Sequence, residues 1–346
     1  MSQAELSSRE TLIPRGFNLV LAGTALLWAV ASRIVAERAA IGITARWSLY
    51  AFEPLLSAVF LVFLVVVGFA LLDRIATRGG SIRAILALPL RPGWVREWGI
   101  GAAAGWGLAL AVVLPVLLSG RLAGHLFTGL PMFGLAGLAI ATLAVLSLAE
   151  ELIFRGYAFR RLIEAVGPTW ASLVLSFLFA LMLLQGNLPD RPLNGLAVSM
   201  LFGLVLAMAY LRTHGLWVGW GVHFAYRAVT AVVLGLPVAG RVDMAGITDS
   251  FARGPAWLTG GQFGLDGALI TIPLMVAAFA VVYRLTRWYA WEYTHPEIVA
   301  AGYEVTIAPP AAHVAMEQTT GAAPPPLVQI LPSTSQSRSV EDEPAS

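Results

Sequence analysis

The stretch "LAEELIFRGYAFRRL", residues 148–162, places two adjacent carboxylates at the end of a long apolar run. Glu150 and Glu151 follow that run, and Arg155 comes one helical turn after Glu151. Neighbouring residues of a helix project about 100° apart, so the two carboxylates are expected to face different ways. Glu151 and Arg155 have the i, i+4 spacing of a helical ion pair. The segments "LIF" and "YAF" around them continue the apolar pattern.

Two interpretations of the glutamates are open. In the first, a membrane span ends at residue 149 and "EELIFR" is a water-exposed cytoplasmic helix, since charges commonly mark the end of a span. In the second, apolar surroundings hold a carboxylate that takes up a proton more readily than it would in water. Such a carboxylate can act as a general base near neutral pH. These residues alone favour the two interpretations equally.

The composition of the whole chain is that of a polytopic membrane protein. Of the 346 residues, 58% are hydrophobic and 12% are charged, whereas soluble domains have about 25% charged residues. The absence of cysteine excludes disulfides, thiolate metal sites and thiol nucleophiles. The formal net charge of +2 is too small to indicate a nucleic-acid partner. We therefore expect the lipid bilayer to surround the protein and no nucleic acid to bind it.

A spanning helix needs roughly 20 mainly apolar residues, and eight segments of the chain approach this length. They predict an all-α fold with transmembrane helices at about 16–32, 54–72, 98–118, 133–149, 169–184, 193–211, 216–237 and 264–283. Arginines in the tails and even-numbered loops outnumber those in the odd-numbered loops by 14 to 7. By the positive-inside rule, both termini are predicted to be cytoplasmic.

The same pattern divides the chain into regions. They are a cytoplasmic tail (1–15), N-terminal spans (16–132) with a basic, interfacial amphipathic segment (74–97), core helices (133–237), a loop with the last span (238–302) and a tail rich in Pro, Ala, Ser and Thr (303–346). The last tail is predicted to be disordered. The chain has no internal repeat that would indicate an inverted-repeat transporter.

His223 and Arg227 lie inside the seventh predicted span, one helical turn apart on the same face. A lone histidine in an apolar helix is either a hydrogen-bonded packing residue or a general base or metal ligand. An arginine inside a span keeps its charge, so it needs a carboxylate partner or a path to the interface. The depth of Arg227 favours a partner, and the deep carboxylates are Glu150 and Glu151.

This ordered set of residues resembles the CPBP family, which comprises the type II CAAX prenyl endopeptidases and the bacterial Abi bacteriocin-processing and immunity proteins. The segment "EELIFR" resembles the family's EExxxR motif, and "SFLFAL" resembles its FxxxH region. The segments "RTHGLW" and "HFAYR" resemble its R-T-x-x-L-W turn and its HxxxN/D motif. The clear resemblance covers about residues 140–230. It implies that 133–237 are protease-like core helices in a bacterial inner (cytoplasmic) membrane.

The resemblance also implies a role for each matching residue. Glu150 would be the base that activates a water molecule, and Glu151 and Arg155 would support it. His223 would be one of two histidines that position the water, or a divalent metal such as zinc, and it is the only family-matched candidate for a metal ligand. The substrate would be a membrane-associated peptide, either a prenylated C-terminus or a leader peptide.

Two of the four motif positions depart from the family pattern. Leu183 stands where FxxxH has its histidine, and Arg227 stands where HxxxN/D has Asn or Asp. We predict that Arg227 replaces the lost positive charge by lying within about 6 Å of Glu150 or Glu151.

Two functions therefore remain: a membrane endopeptidase with altered site chemistry, or an inactive member without a cofactor. The inactive member would bind a membrane protein partner or scaffold a complex. The substitutions favour weak or absent activity, because groups that act as a catalytic unit fail together.

Overall fold

The structure is a computed structural model that describes residues 14–77, 82–127, 129–184, 193–241 and 244–289. In chain order its helices are α1 (Arg15–Trp47), α2 (Glu53–Thr77), α3 (Ile82–Ile85), α4 (Trp94–Leu118), α5 (Leu130–Arg155), α6 (Tyr157–Val166), α7 (Pro168–Leu183), α8 (Leu193–Thr213), α9 (Trp217–Arg227), α10 (Ala256–Thr259) and α11 (Thr271–Leu285). A π-helix, Ala228–Val233, continues α9. Short 3-10 turns cover Tyr50–Phe52, Gly261–Phe263 and Leu265–Gly267.

The prediction of an all-α polytopic membrane protein is confirmed. Five helical stretches of the described chain are long and apolar enough to cross a membrane, namely Arg15–Trp47, Tyr50–Ala76, Trp94–Leu118, Leu130–Val166 and Leu193–Thr213. Pro168–Leu183 and Thr271–Leu285 are shorter apolar helices. Each of the eight predicted segments overlaps a helix, but the number of spans stays a prediction.

The first helix is longer than the sequence pattern indicated. It does not end at residue 32 but continues to Trp47, so Arg33 belongs to a helix and not to a loop. Small residues recur at every fourth position and are buried, as at Ala36, Ala40 and Thr44. This spacing keeps one face of α1 packed along α2 despite the arginines on its other faces.

A two-stranded antiparallel sheet was not predicted. Strand β1 (Leu122–Leu126) pairs with β2 (Thr248–Ala252), with Leu122 opposite Ala252 and Leu126 opposite Thr248. The pairing joins the loop after α4 to the loop after the π-helix.

The basic segment 74–97, which the sequence predicts to be interfacial and amphipathic, contains more than one helical element, and its place at the interface stays a prediction. It is divided between the end of α2, the short α3 and the start of α4, and residues 78–81 lie outside the described part. Most of the predicted tail 1–15 and the whole of the tail 303–346 also lie outside the described residues.

Close contact between α4 and α9 positions the site. Gly101 and Gly105, four residues apart on α4, and Gly221 on α9 lie at the contact, where a Cβ atom at any of them would overlap the backbone of the facing helix. Small residues at this spacing let membrane helices approach closely. The packing fixes the helix that carries His223 and Arg227.

The α5 helix ends in a sharp break at Gly156. The chain leaves helical geometry there, with φ −84° and ψ −125°, and a Cβ atom at this position would overlap the carbonyl oxygen of Leu152. α6 therefore begins in a new direction at Tyr157. Glu150 and Glu151 lie before the break, inside the last turns of α5.

Candidate active site

Both glutamates are inside the protein. The exposed fraction is 4% for Glu150 and 0% for Glu151, and every residue of α5 from Ala149 to Arg155 is buried. The interpretation of "EELIFR" as a water-exposed helix end is therefore wrong. The apolar residues that surround the glutamates in sequence also surround them in space. Each of the two charges consequently needs a partner within the protein.

A single imidazole ring lies between the two glutamates. His223 Nδ1 is 2.7 Å from Glu151 Oε1, and His223 Nε2 is 3.4 Å from Glu150 Oε2. The carboxylates leave α5 in different directions, but the two ring nitrogens lie far enough apart to reach both. The rings of Phe179 and Phe202 pack edge-on against the imidazole, with centroids 5.6 and 5.4 Å away. These contacts hold the ring in one orientation.

The Glu151 side of the site is built largely within α5. Arg155 Nη1 lies 3.3 Å from Glu151 Oε1, which confirms the predicted i, i+4 ion pair. Arg155 Nη2 donates a hydrogen bond to the carbonyl oxygen of Gly203 at 3.1 Å. The guanidinium also lies over the Phe179 ring, 4.5 Å from its centroid. The absent side chain of Gly219 leaves room for Glu151, since a Cβ there would lie 3.1 Å from Glu151 Oε2.

The Glu150 side is built between helices. Arg227 Nη1 lies 2.9 Å from Glu150 Oε2, so the predicted pairing of Arg227 with a glutamate is confirmed. The ion pair joins α9 to α5 and is buried on both sides. Arg33 of α1 is half-buried and also attracts Glu150 electrostatically. Sequence reasoning missed Arg33 because it placed this residue in a loop.

Leu183 lies at the end of α7 and lines a narrow pocket together with Arg227. The other walls of this pocket are Val198, Ser199, Phe202, Tyr226, Val238, Asp266 and Met275. The leucine side chain packs against the hydrophobic core. It therefore supplies an apolar wall at the position where the resemblance implied a histidine.

Asp266 is a buried carboxylate that sequence reasoning missed. It lies in the 3-10 turn before α11, accepts a hydrogen bond from the Tyr226 hydroxyl and accepts another from the backbone N–H of Ala239 at 2.9 Å. These bonds tie the loop after the π-helix to α9, beside Arg227. The signal was available, because Asp266 is the only acidic residue between Asp249 and Glu292.

The residues of the site do not fit a metal ion. Within the described ranges, no three His, Asp or Glu side chains are arranged to hold one. Both nitrogens of His223 already face carboxylates, and Glu150 is paired with a permanent cation that would repel a metal. Leu183 removes the second histidine that the resemblance implied.

Residues 131–229 match the family model described as "Type II CAAX prenyl endopeptidase Rce1-like". This match supports membership of the CPBP family for that part of the chain. The matched residues are in α5 to α9, the helices that carry the site, and α1 to α4 lie outside the match. Neither a curated protein nor a solved structure matches the chain.

Proposed function

We propose that this CPBP membrane protein keeps the pocket of a protease without its peptidase activity and acts by binding a membrane-embedded partner. The observation that carries the proposal is the buried ion pair of Arg227 with Glu150, 2.9 Å long. The partner would be a membrane-associated peptide or the exposed segment of another membrane protein.

The ion pair opposes the role of Glu150 as a general base. To activate a water molecule, the carboxylate must accept the proton of that water. An arginine keeps its charge under all conditions, so protonating Glu150 would leave a buried guanidinium without its partner. Breaking a buried ion pair in this way costs about 3–5 kcal/mol. Since 1.36 kcal/mol is tenfold in rate, this cost alone corresponds to a loss of about two to four orders of magnitude.

The remaining groups do not compensate for this loss. His223 Nδ1 is in hydrogen-bond contact with Glu151, and Nε2, which has no hydrogen-bond partner among the described residues, faces Glu150 at 3.4 Å. The imidazole is not among the residues that line the pocket beside Arg227. Leu183 offers no polar atom to position a water molecule. Groups that act as a unit lose most of their effect when one of them is removed.

The pocket beside Arg227 supports the binding half of the proposal. Its walls are mainly apolar, and the Arg227 guanidinium, which has five N–H donors, forms part of the lining. The cavity is about 20 Å³, the space of one water molecule, so the group of a partner that fits beside the guanidinium is a single carbonyl or carboxylate oxygen.

A second candidate function is peptide cleavage with altered chemistry. It is favoured by the gathering of Glu150, Glu151, Arg155 and His223 in one buried cluster. In that case Arg227 would stabilise the negative charge that develops on the carbonyl oxygen of the scissile bond.

The two functions are separated by assaying cleavage and retention of the same peptides. Wild type and Glu150→Ala, each in lipid nanodiscs, are incubated with a prenylated C-terminal peptide and with a leader peptide. We expect both proteins to cleave the peptides only at the background rate. Wild type should retain one of the two peptide classes, and Arg227→Met should retain about tenfold less of that peptide. Cleavage by wild type that Glu150→Ala abolishes would instead establish the endopeptidase.

A further inference from the structure

One end of the helix bundle brings together the C-termini of α2, α8 and α11 and the N-terminus of α4. We refer to this end, formed by residues 73–74, 82–97, 157–166, 212–217 and 283–289, as the basic end. The side chains and backbone groups in contact there are Asp73 with Arg161, Ile85 with Arg160, Trp94 with Trp217, and Arg212 with Thr286.

The described part of the basic end has an excess of positive charge. Its arginines are Arg74, Arg91, Arg96, Arg160, Arg161, Arg212, Arg284 and Arg287. Its acidic residues, among those that the structure describes, are Asp73, Glu97 and Glu164, and each of them is in an ion pair with Arg161 or Arg91. The acids therefore neutralise only part of the end, and exposed guanidinium groups remain on its surface.

Arg212 is held in a fixed position on this surface. Its Nε donates a hydrogen bond to Thr286 Oγ1 at 2.9 Å, and its guanidinium carbon lies 4.0 Å from the centroid of the Tyr283 ring. Thr286 is itself buried and donates to the carbonyl oxygen of Val282 at 2.8 Å. The bond to Thr286 uses Nε, which leaves the terminal nitrogens Nη1 and Nη2 as the pair for bidentate contact with a phosphate.

Two further arginines are sequence neighbours of the residues that hold this guanidinium. Arg284 follows Tyr283, Arg287 follows Thr286, and both are exposed. The two residues that hold Arg212 are thus each next to another cation in the chain. The three arginines therefore come from the C-terminal ends of α8 and α11, which meet at the hydrogen bond of Arg212 with Thr286.

Aromatic side chains indicate that these two helix ends lie at the membrane surface. Tyr283, in the last turn of the apolar helix α11, is 50% exposed. Trp288, just after the end of that helix, is 74% exposed. Exposed Trp and Tyr residues are typical of the boundary between hydrocarbon and water. At that depth the charged groups within reach are lipid headgroups, and clusters of arginine at the ends of spanning helices favour anionic lipids.

We propose that Arg212, Arg284 and Arg287 bind the phosphate group of an anionic membrane phospholipid. Arg212, held by Thr286 and Tyr283, makes the bidentate contact, and the other two guanidinium groups neutralise the remaining headgroup charge. This site is separate from the glutamate cluster and does not depend on whether that cluster cleaves peptides.

The test uses the full chain in nanodiscs that contain equal amounts of phosphatidylcholine and phosphatidylglycerol. The protein is extracted into detergent, and the lipids that stay bound are counted by native mass spectrometry. Wild type is expected to retain phosphatidylglycerol in preference to phosphatidylcholine. Each arginine changed to Gln should lower this preference about fivefold, from the typical contribution of one basic residue near an anionic surface. Thr286→Val, which changes no charge, should lower it about two- to tenfold by releasing the Arg212 guanidinium.

The matched control is the triple variant Arg46→Gln, Arg121→Gln and Arg253→Gln. These exposed arginines lie at the other end of α1 and at the strand region after α4, and their removal should leave the retained lipid unchanged. An equal loss in the control would overturn the proposal, as would a wild type without preference for the anionic lipid. Displacement of the bound lipid by inorganic phosphate alone would also overturn it, by showing a site for free phosphate. Thermal unfolding of each variant verifies that it is folded.

Discussion

The Glu151 side and the Glu150 side of the site hold adjacent carboxylates in different ways. Glu151 pairs with Arg155 of its own helix at 3.3 Å, whereas Glu150 pairs with Arg227 of another helix at 2.9 Å. The first pair follows from the spacing of two residues in a helix. The second exists only because α9 packs against α5. The first pair therefore depends on local spacing, whereas the second depends on the packing of two helices.

The Glu151 side should be the more sensitive to mutation. Arg155→Met removes the ion pair, the hydrogen bond to Gly203 and the contact with Phe179 in one step. We expect the free energy of unfolding to fall by about 3–5 kcal/mol, because a buried ion pair is broken together with two further contacts, although Glu151 keeps its contact with His223 at 2.7 Å. Unfolding in detergent mixtures of rising SDS fraction measures this, with Arg155→Lys as the charge-preserving control. A loss below about 1 kcal/mol, typical of exposed ion pairs, would contradict the buried pair.

The Glu150 side should show strong coupling between two helices. Arg227→Met alone should cost about 3 kcal/mol, at the lower end for buried pairs, because Glu150 keeps its contact with His223. The double variant Glu150→Gln and Arg227→Met should recover most of this loss, with a coupling free energy of about 1–3 kcal/mol. The same SDS titration of wild type, both single variants and the double variant gives the coupling. Strictly additive losses would mean that the two side chains do not form a pair.

The loop beside Arg227 should contribute less than either ion pair. Tyr226→Phe removes the hydroxyl that donates to the buried Asp266 carboxylate. We expect a loss of about 1.5–3 kcal/mol, the usual range for a hydrogen bond to a charged group. Tyr283→Phe is the control, since this ring is half-exposed and keeps its stacking on Arg212. Equal effects of the two variants would show that Asp266 does not anchor the loop.

An ion pair at the edge of the bundle should have the smallest effect. Glu164 contacts Arg161 at 3.0 Å, but the Glu164 side chain is 48% exposed and Arg161 keeps Asp73 as a partner. Glu164→Gln should change the free energy of unfolding by less than about 0.5 kcal/mol. If this variant lost as much as Arg155→Met, burial would not explain the difference between the pairs.

The sequence predicted those parts of the site that depend on local spacing or on the cost of a buried charge. The Glu151–Arg155 pair follows from i, i+4 spacing, and the Glu150–Arg227 pair follows from the need of an arginine inside a span for a carboxylate. The burial of the glutamates could not be decided, because the end of a span and a buried turn have the same apolar pattern.

Other features depend on contacts between distant segments. The pairing of β1 with β2 and the bond from Tyr226 to Asp266 join parts of the chain that no periodicity connects. The length of α1 was missed for another reason. The arginines after residue 32 are typical of a loop between spans. The small residues that pack α1 against α2 do not form the long apolar run by which a span is recognised.

Restoring the family residues at positions 183 and 227 determines whether Leu183 and Arg227 are what keeps the site from cleaving peptides. The double variant that carries Leu183→His and Arg227→Asn is purified and assayed for peptide cleavage beside wild type. Both proteins are also assayed with Glu150→Ala added. We expect only the double variant to cleave, and Glu150→Ala to abolish this cleavage. Cleavage by wild type that Glu150→Ala removes would show instead that the wild-type site is an active endopeptidase.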